Sequence, residues 1–262
     1  MTAPYALTRR GGKLLVSMPH VGAALPQDIA PRLTGEARAL PDTDWHVDRL
    51  YDFLAGLDAT VLTAHWSRLV IDLNRPPDGA SLYPGQAGTG LCPVELFDGA
   101  PVYRGGQGPD EKEIASRRAM YWQPYHDALA AELRRIQAIH GHALLWDAHS
   151  IAPVIPRLFD GRLPDHNIGT ARGASCAQGM GEAVLKAAQG FPAYSAVLNG
   201  RYVGGYITRH YGSPGKGIHA VQLELSQAAY MDGPPGFGFD EARAAALRPA
   251  LRAMIGAALR CL

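Results

Sequence analysis

Cysteine is scarce in this 262-residue sequence, and its placement excludes two kinds of small-protein scaffold. The three cysteines, Cys92, Cys176 and Cys261, are an odd number at unrelated spacings. Neither a disulfide framework nor a zinc knuckle is therefore indicated. Such sparing use of cysteine is typical of proteins of the reducing cytoplasm, and we expect that location here.

An excess of charge of one sign is also lacking. Lys and Arg total 25 against 24 Asp and Glu, a formal net charge of +1. This balance predicts no binding of nucleic acid or of an anionic membrane. The apolar run Leu14-Leu15-Val16 is too short for a signal sequence or a membrane span. We expect a small-molecule partner; the sequence does not specify the oligomeric state, and a homo-oligomer is compatible with it.

Several familiar catalytic motifs are missing as well. The sequence contains no Gly-x-Ser-x-Gly elbow, no Gly-rich phosphate cradle and no His-Glu-x-x-His helix. These absences argue against a serine triad and against a P-loop or dinucleotide site. Any metal site must be assembled from separate parts of the chain.

Apolar runs alternate with helical patterns along the whole chain, with no repeat and no shift in composition. The strands are predicted at 13–18, 60–64, 68–73, 143–146, 168–170, 193–198 and 219–225, with 203–209 as a strand or part of a loop. The helices are predicted at 44–57, 111–139 (interrupted at Pro124), 174–189 and 241–262 (interrupted at Pro249), and long ordered loops at 83–108 and 200–217. This alternation predicts one α/β domain over 1–262, with a mixed, mostly parallel sheet and helices on both faces.

The segment 67–77 ends a predicted buried strand with Asp72, Asn74 and Arg75. The guanidinium of Arg matches a carboxylate in two parallel hydrogen bonds, and Asn adds a neutral donor and acceptor. Sheet ends are where α/β proteins place their ligand sites, so the pattern predicts a clamp for a small acidic ligand. An ion pair of Arg75 with Asp72 or Asp78 is the structural alternative.

Histidine or glutamate side chains, which can bind a metal or transfer a proton, lie at three further strand ends. His20 follows the first strand, His149 follows the 143–146 run, and Glu224 lies in a late strand. Two histidines and a carboxylate meet the needs of a catalytic divalent metal, which keeps one position for water. Asp44, which opens the helix after the His20 loop, is the preferred carboxylate ligand, with Asp48 one turn further as the alternative.

Each of these residues also has an ordinary structural explanation. A histidine after a strand is commonly a hydrogen-bonding group, Asp44 is a suitable helix N-cap, and Glu224 could point to solvent. In the Gly-rich segment 200–217, Arg209 or His210 could meet a second acidic group of a ligand, or Arg209 could simply be solvated. The metal prediction depends on the joint occurrence of the three strand-end groups.

Taken in order, these motifs resemble the N-formylglutamate amidohydrolase family over about 14–232. The residues that carry the resemblance are Ser17-Met-Pro-His20-Val-Gly22, Asp42-Thr-Asp44-Trp-His-Val-Asp48, Ser67-Arg68-Leu-Val-Ile-Asp72-Leu-Asn74-Arg75-Pro-Pro77, Asp147-Ala-His149-Ser-Ile151, Gly204-Gly-Tyr-Ile-Thr-Arg209-His210-Tyr211-Gly212 and Gln222-Leu-Glu224. The resemblance implies a fold related to zinc carboxypeptidases and aspartoacylases. One departure from the carboxypeptidase pattern is that position 23 is Ala, so the compact His-x-x-Glu is absent.

The resemblance also implies a reaction and a role for each residue. The reaction is hydrolysis of N-formyl-L-glutamate to formate and L-glutamate, in bacterial histidine degradation. The implied roles are zinc binding by His20, Asp44 and His149, proton transfer by Glu224, oxyanion stabilisation by Arg68, α-carboxylate binding by Asn74 and Arg75, and side-chain carboxylate binding by Arg209 or His210. The alternatives are a related metal-dependent hydrolase of another N-acyl acidic amino acid or a peptidoglycan amide, and a non-catalytic protein that binds acidic amino acids.

Overall fold

The computed structural model describes residues 3–82, 85 and 87–262. Within this part of the chain, seven strands form a single sheet. The strands are β1 (Tyr5–Thr8), β2 (Leu14–Met18), β3 (Thr60–Ala64), β4 (Ala143–Ile151), β5 (His166–Gly169), β6 (Ala196–Leu198) and β7 (Ile218–Ser226). The α-helices are α1 (Gly35–Arg38), α2 (Val47–Leu50), α3 (Glu111–Arg117), α4 (Gln123–His140), α5 (Met180–Gln189), α6 (Tyr206–Tyr211) and α7 (Glu241–Leu259).

Shorter helical turns join these elements. They are the 3₁₀ turns Ala30–Arg32, Asp52–Leu57, Arg104–Gly106, Ala171–Gly173, Pro214–Lys216 and Gln227–Ala229, and the π turn Arg118–Trp122 between α3 and α4. Among the described helices, none combines the length and apolar character needed to cross a bilayer.

The sheet is mixed and mostly parallel, as the sequence predicts. Its strand order is β1-β3-β2-β4-β7-β5-β6. The central pairs β3–β2, β2–β4 and β4–β7 are all parallel, whereas β1 pairs antiparallel with β3 and β5 pairs antiparallel with β7. From β2 the chain passes outward to β3 and then crosses to β4 on the other side of β2. The carboxyl ends of β2 and β4 therefore flank a topological switch point, where open α/β sheets form a crevice.

Both faces of the central strands are buried, because their side chains alternate between two cores. In β2, Leu14, Val16 and Met18 belong to a core that α5 and α7 cover, whereas Leu15 belongs to a second core that α4 covers. Strands buried on both faces read as continuous apolar runs, which is why β2 and β4 stand out in the sequence.

The structure corrects several details of the sequence-based elements. The predicted break at Pro249 is wrong, because α7 continues through the proline, with buried residues such as Leu247 and Leu251 packed on either side of it. Pro124 lies in the first turn of α4, where its missing N–H costs nothing. The 44–57 helix is replaced by α2 and a 3₁₀ turn. Of the segment 203–209, predicted as a strand or part of a loop, residues 203–205 are loop and residues 206–209 belong to α6. Of the loop predicted at 83–108, residues 83, 84 and 86 lie outside the described part of the chain.

The predicted strand at 68–73 is also wrong, although the segment is fully buried. Its backbone turns instead of extending, because side chains take the place of strand partners. Ser67 Oγ accepts a hydrogen bond from Leu69 N at 3.2 Å, and Asp72 Oδ1 accepts one from Asn74 N at 2.8 Å. The Val70 carbonyl accepts a hydrogen bond from the guanidinium of Arg117 at 2.9 Å. Buried backbone groups need partners of some kind, and here the partners are local turns and one arginine.

Candidate active site

The carboxyl edge of the sheet brings together side chains that lie far apart in the sequence. His20 follows the end of β2 by two residues, and His149 lies near the end of β4. Glu224 of β7 is the direct register partner of His149, so the two side chains leave the sheet on the same face. All three line one open cavity. The predicted convergence of these strand-end groups is therefore what the structure has.

Asp44 joins the two histidines through its backbone and its side chain. Asp44 N donates a hydrogen bond to the His20 carbonyl at 3.0 Å, which holds the aspartate beside the histidine loop. Asp44 Oδ2 lies 3.0 Å from His149 Nδ1 and 3.6 Å from His20 Nδ1. Asp44 does not serve as a side-chain N-cap, because α2 is preceded by His46 and has no side-chain cap. Asp48 is exposed on α2 and is not part of this group.

The outer ring nitrogen of each histidine is held by a second carboxylate. His20 Nε2 lies 2.7 Å from Asp72 Oδ1, and His149 Nε2 lies 3.0 Å from Asp147 Oδ2. A carboxylate can only accept, so His20, whose Nδ1 has no hydrogen-bond partner among the described residues, donates from Nε2 and turns its Nδ1 lone pair towards Asp44. His149 has a carboxylate oxygen near each ring nitrogen, and its Nδ1 is hydrogen-bonded to Asp44. This carboxylate–histidine arrangement is the one that orients imidazole ligands in metal sites.

The donor set fits a divalent metal ion. One ligand atom each from His20, Asp44 and His149 lies within 4.8 Å of the others, and all three side chains are buried. Within the described residues, His20 Nδ1 is a buried ring nitrogen without any hydrogen-bond partner. Such a nitrogen costs free energy unless something binds it, and a metal ion is what two imidazoles and a carboxylate are suited to bind.

Neighbouring charges shift the pKa values of Asp44 and His149 against the direction that burial alone would give. Burial alone would raise the pKa of Asp44, but the charge of His20 and the hydrogen bond from His149 outweigh it and hold that pKa below its ordinary value. Burial would lower the pKa of His149, yet Asp147 and Asp44 hold it well above 6.5. The site therefore favours positive charge between the histidines and Asp44, which a metal cation would supply.

Glu224 has a different environment from the other carboxylates. It is 8% exposed and faces the cavity. Burial raises its pKa to about 8, with Asp44 adding to the effect and His149 opposing it. A carboxyl group with a pKa near neutrality can both accept and return a proton, as a general acid–base needs.

Arg68 lies on the opposite side of Asp44 from the histidines. Its guanidinium donates to Asp72 Oδ2 at 2.6 Å and lies 3.7 Å from Asp44 Oδ1. It also lies over the ring of Phe97, 4.7 Å from the ring centre. These contacts fix a permanent positive charge at the cavity wall, next to the candidate ligands.

Asn74 faces the cavity, but its amide is occupied by the protein. Its Nδ2 lies 3.0 Å from His149 Nε2 and 3.3 Å from Asp147 Oδ2, and its Oδ1 accepts a hydrogen bond from Ile207 N at 2.8 Å. The backbone of Gly205 lies against the same amide. Asn74 thus holds the His149–Asp147 pair in place.

The neighbouring Arg75 lines the cavity and is anchored by one loop. Its Nε donates to the Thr89 carbonyl at 2.8 Å, and one terminal nitrogen donates to Thr89 Oγ1 at 3.2 Å. The ion-pair alternative is met only weakly, since the closest approach to Asp72 is 3.9 Å. Arg75 is therefore held as a cavity-wall cation, not consumed by a buried salt bridge.

The structure does not bring Arg209 and His210 to the cavity. Arg209 donates to the carbonyls of Gly204 and Leu82 at 2.8 and 3.0 Å, and the exposed His210 stacks on Tyr206 with ring centres 4.8 Å apart. Arg201 does line the cavity and was missed by the sequence analysis, although it belongs to the same Gly-rich segment.

Gln222 is the second cavity residue that the sequence analysis did not single out. The signal that could have found it is strand periodicity. Gln222 precedes Glu224 by two residues in β7, so both side chains lie on one face.

Comparisons with known proteins agree with this architecture. The N-formylglutamate amidohydrolase family matches residues 12–231 of the chain. The N-formylglutamate deformylase of Pseudomonas aeruginosa is 53% identical over 245 residues, which cover 92% of this chain and 91% of that protein. The N-formylglutamate deformylase of Pseudomonas putida is 49% identical over 246 residues, or 94% of this chain and 92% of that protein.

A solved structure shares the fold. The crystal structure of N-formylglutamate amidohydrolase from Ralstonia eutropha JMP134 has a TM-score of 0.83 to this chain at 24% identity, covering 99% of this chain and 98% of the other. The sequence match spans the strands and loops that carry His20, Asp44, His149 and Glu224. The chain belongs to the N-formylglutamate amidohydrolase family.

Proposed function

We propose that this protein hydrolyses N-formyl-L-glutamate to formate and L-glutamate, using one zinc ion held by His20, Asp44 and His149. The observation that carries the proposal is the His20–Asp44–His149 group facing Glu224 in a cavity with arginine side chains in its wall. Membership of the family supports the assignment of N-formyl-L-glutamate as the substrate. We further propose that the chain is a single domain, acts in the cytoplasm and serves the breakdown of histidine.

A bound zinc ion supplies Lewis-acid chemistry, because it lowers the pKa of water and polarises a carbonyl oxygen. The protein's part is to hold the two imidazoles and the carboxylate of Asp44 in fixed orientation. Asp72 and Asp147 do so from behind, through the Nε2 atoms of His20 and His149. The contact with Asp72 leaves the Nδ1 lone pair of His20 available, whereas His149 Nδ1, which is hydrogen-bonded to Asp44, would release its proton when a metal binds.

Glu224 is the proton-transfer group. With a pKa near 8 it takes a proton from the attacking water and returns it to the amide nitrogen as the C–N bond breaks. The products are formate and the free amine of glutamate. Arg68, fixed by Asp72 and Phe97, places positive charge where the formyl oxygen gains negative charge.

The arginine side chains in the cavity wall explain why the protein would bind an acidic substrate. Arg75 is the proposed partner of the α-carboxylate, and Asn74 supports it by fixing the adjoining loop and His149. For the side-chain carboxylate, the cavity lining favours Arg201 over the predicted Arg209 and His210. Because the cavity would bind both carboxylates, the protein can select a dianionic substrate although its own net charge is only +1.

The test is a formate-release assay on N-formyl-L-glutamate with chelator-treated protein, before and after zinc is restored. Activity that returns with stoichiometric zinc supports the proposal, and full activity in metal-free protein would contradict the zinc. Parallel assays of acetate and succinate release from the N-acetyl and N-succinyl analogues test the acyl group. Glu224→Gln should keep its zinc and lose at least about a hundredfold in kcat; an active variant would exclude Glu224 as the proton carrier.

A further inference from the structure

Gln222 has a side chain that is fixed at one end and exposed to the cavity at the other. Its Oε1 accepts a hydrogen bond from Gly205 N at 2.6 Å. A backbone N–H can only donate, so this contact fixes which end of the amide is oxygen. The Nε2 group is therefore the other end of the amide, and it makes no hydrogen bond within the described residues.

The surroundings of this amide indicate what it would bind. Gly205, which holds the Gln222 oxygen, lies against Asn74, and Arg75 and Arg201 line the same cavity as Gln222. An amide N–H₂ in a cavity that also contains guanidinium groups adds a neutral donor to charged ones, which suits a carboxylate. The side chain is only 3% exposed, so a bound acceptor would replace little bulk water.

The position along the strand fits the same assignment. Gln222 precedes Glu224 by two residues in β7, which is about 6.6 Å along the strand. If Glu224 and the metal ligands mark the scissile amide, as the proposed function requires, Gln222 lies a few bonds further along the substrate. A formyl group is too short to span that distance from the scissile amide, whereas the carboxylates of an N-formyl glutamate can reach it.

We infer that Gln222 is a specificity-determining residue that donates a hydrogen bond from Nε2 to a carboxylate of the substrate. This inference rests on the proposed function for the place of the scissile amide. Gly205 acts with it, because its N–H holds the glutamine oxygen and leaves only the donor end for the substrate. A site built to donate to an acid discriminates against analogues that cannot accept, since its buried donor is then left unpaired.

The test uses Gln222→Glu, which keeps the shape and the Gly205 contact but replaces the donor with an acceptor. Steady-state kinetics are measured on N-formyl-L-glutamate and on its two monoamides, N-formyl-L-glutamine and N-formyl-L-isoglutamine. We expect kcat/KM on the diacid to fall about a hundredfold, mainly through KM, and to fall at least tenfold less on one of the monoamides. The monoamide that is spared identifies the carboxylate. An equal fall on all three substrates, or no fall, would overturn the inference.

Two comparisons keep the result interpretable. Gln189→Glu, at an exposed position at the end of α5, makes the same chemical change away from the cavity and should leave all three substrates unaffected. Gln222→Met removes the donor without adding charge, but it also removes the oxygen that accepts from Gly205 N, so it should weaken diacid binding and lower the melting temperature while retaining zinc. If the wild-type enzyme fails to release formate, the proposed function fails. Calorimetric titration of wild type and Gln222→Glu with L-glutamate then still tests carboxylate recognition, and equal affinity in both would refute it.

Discussion

Asp72 accepts a hydrogen bond from His20 across 2.7 Å, and this contact decides which nitrogen of His20 is left to face Asp44. Burial would raise the pKa of Asp72, but Arg68 and then His20 hold it well below its usual value. The carboxylate therefore stays charged and acceptor-only. The tautomer of the histidine is thus set by a residue that the sequence analysis treated only as an ion-pair partner.

Asp72→Asn should weaken zinc binding about 10- to 100-fold, because His20 loses its charged orienting partner and Arg68 loses its counter-ion. The measurement is zinc affinity by competition with a chromophoric chelator. Asp48→Asn is the matched control, since Asp48 is exposed on α2 and should leave the affinity unchanged. An equal loss in both variants, or a loss in Asp48→Asn alone, would identify Asp48 as the carboxylate ligand instead of Asp44.

Gly205→Ala should impair catalysis without unfolding the protein. A Cβ at this position would lie 2.3 Å from Asn74 Nδ2, a contact that real side chains do not make, so the Asn74 amide must move away from His149. We expect kcat/KM to fall at least about tenfold, because small displacements of a positioning group are costly in an active site. Gly35→Ala provides the control, as its Cβ would meet no atom within 4 Å. Wild-type turnover in Gly205→Ala would mean that the Asn74 amide is not needed where the structure has it.

Arg201→Gln and Arg209→Gln distinguish the two candidates for the side-chain carboxylate. Arg201 lines the cavity, whereas Arg209 donates to two carbonyls outside it. We expect the KM for N-formyl-L-glutamate to rise at least about tenfold in Arg201→Gln, the loss typical of a charged hydrogen bond, and to change less than about threefold in Arg209→Gln. Steady-state kinetics check this, and the reverse order would restore the sequence-based assignment to Arg209.

The buried His166 should make the metal-free protein less stable in acid, an effect that the raised pKa of Glu224 opposes over the same pH range. Burial lowers the pKa of His166 to about 4, and within the described residues neither of its ring nitrogens has a hydrogen-bond partner. Between pH 6.5 and 4, His166 therefore binds a proton in the unfolded chain that it does not bind in the folded chain, so its contribution to the free energy of unfolding falls as the pH falls. At pH 5 this histidine alone costs about 2 kcal/mol.

His166→Phe should remove about that much of the loss between pH 7.5 and pH 5, as measured by urea unfolding in the presence of chelator. His126, whose pKa burial lowers to about 3, supplies a similar slope that remains in the variant. The exposed His65 offers the comparison, because His65→Phe should leave the pH dependence as it is. Identical pH profiles for wild type and His166→Phe would contradict the burial argument.

Sequence reasoning located the central strands because burial on both faces makes them continuous apolar runs. The same signal failed at 68–73, where an equally buried run turns, since burial does not reveal whether a backbone finds strand partners or side-chain partners. β1 escaped notice because its residues alternate between half-buried and exposed at the sheet edge. α6 was missed because the glycines before it indicate a loop and do not mark where a helix resumes.

The candidate ligands and Glu224 were accessible from sequence because they follow strands, and parallel strand ends meet at one edge. Gln222 could have been found from strand periodicity, since it precedes Glu224 by two residues, but Arg201 was not accessible in this way. Arg201 comes to the cavity through a loop whose path no local pattern fixes, while Arg209 carries the same charge in the same segment and points elsewhere. Choosing between two cations on one loop requires the three-dimensional structure.

β4 and β7 pair in parallel over nine residues, so the cavity residues on these strands are held more rigidly than those on the connecting loops. His149 and Glu224 are register partners within the most continuous part of the sheet, so their spacing cannot drift without a slip of both strands. By contrast, Ala87, Leu158 and Arg201 reach the cavity from connecting segments. New acyl or amino-acid preferences can therefore arise by exchange or lengthening of loops while the His149–Glu224 pair stays fixed, and directed evolution of this enzyme should target those segments first.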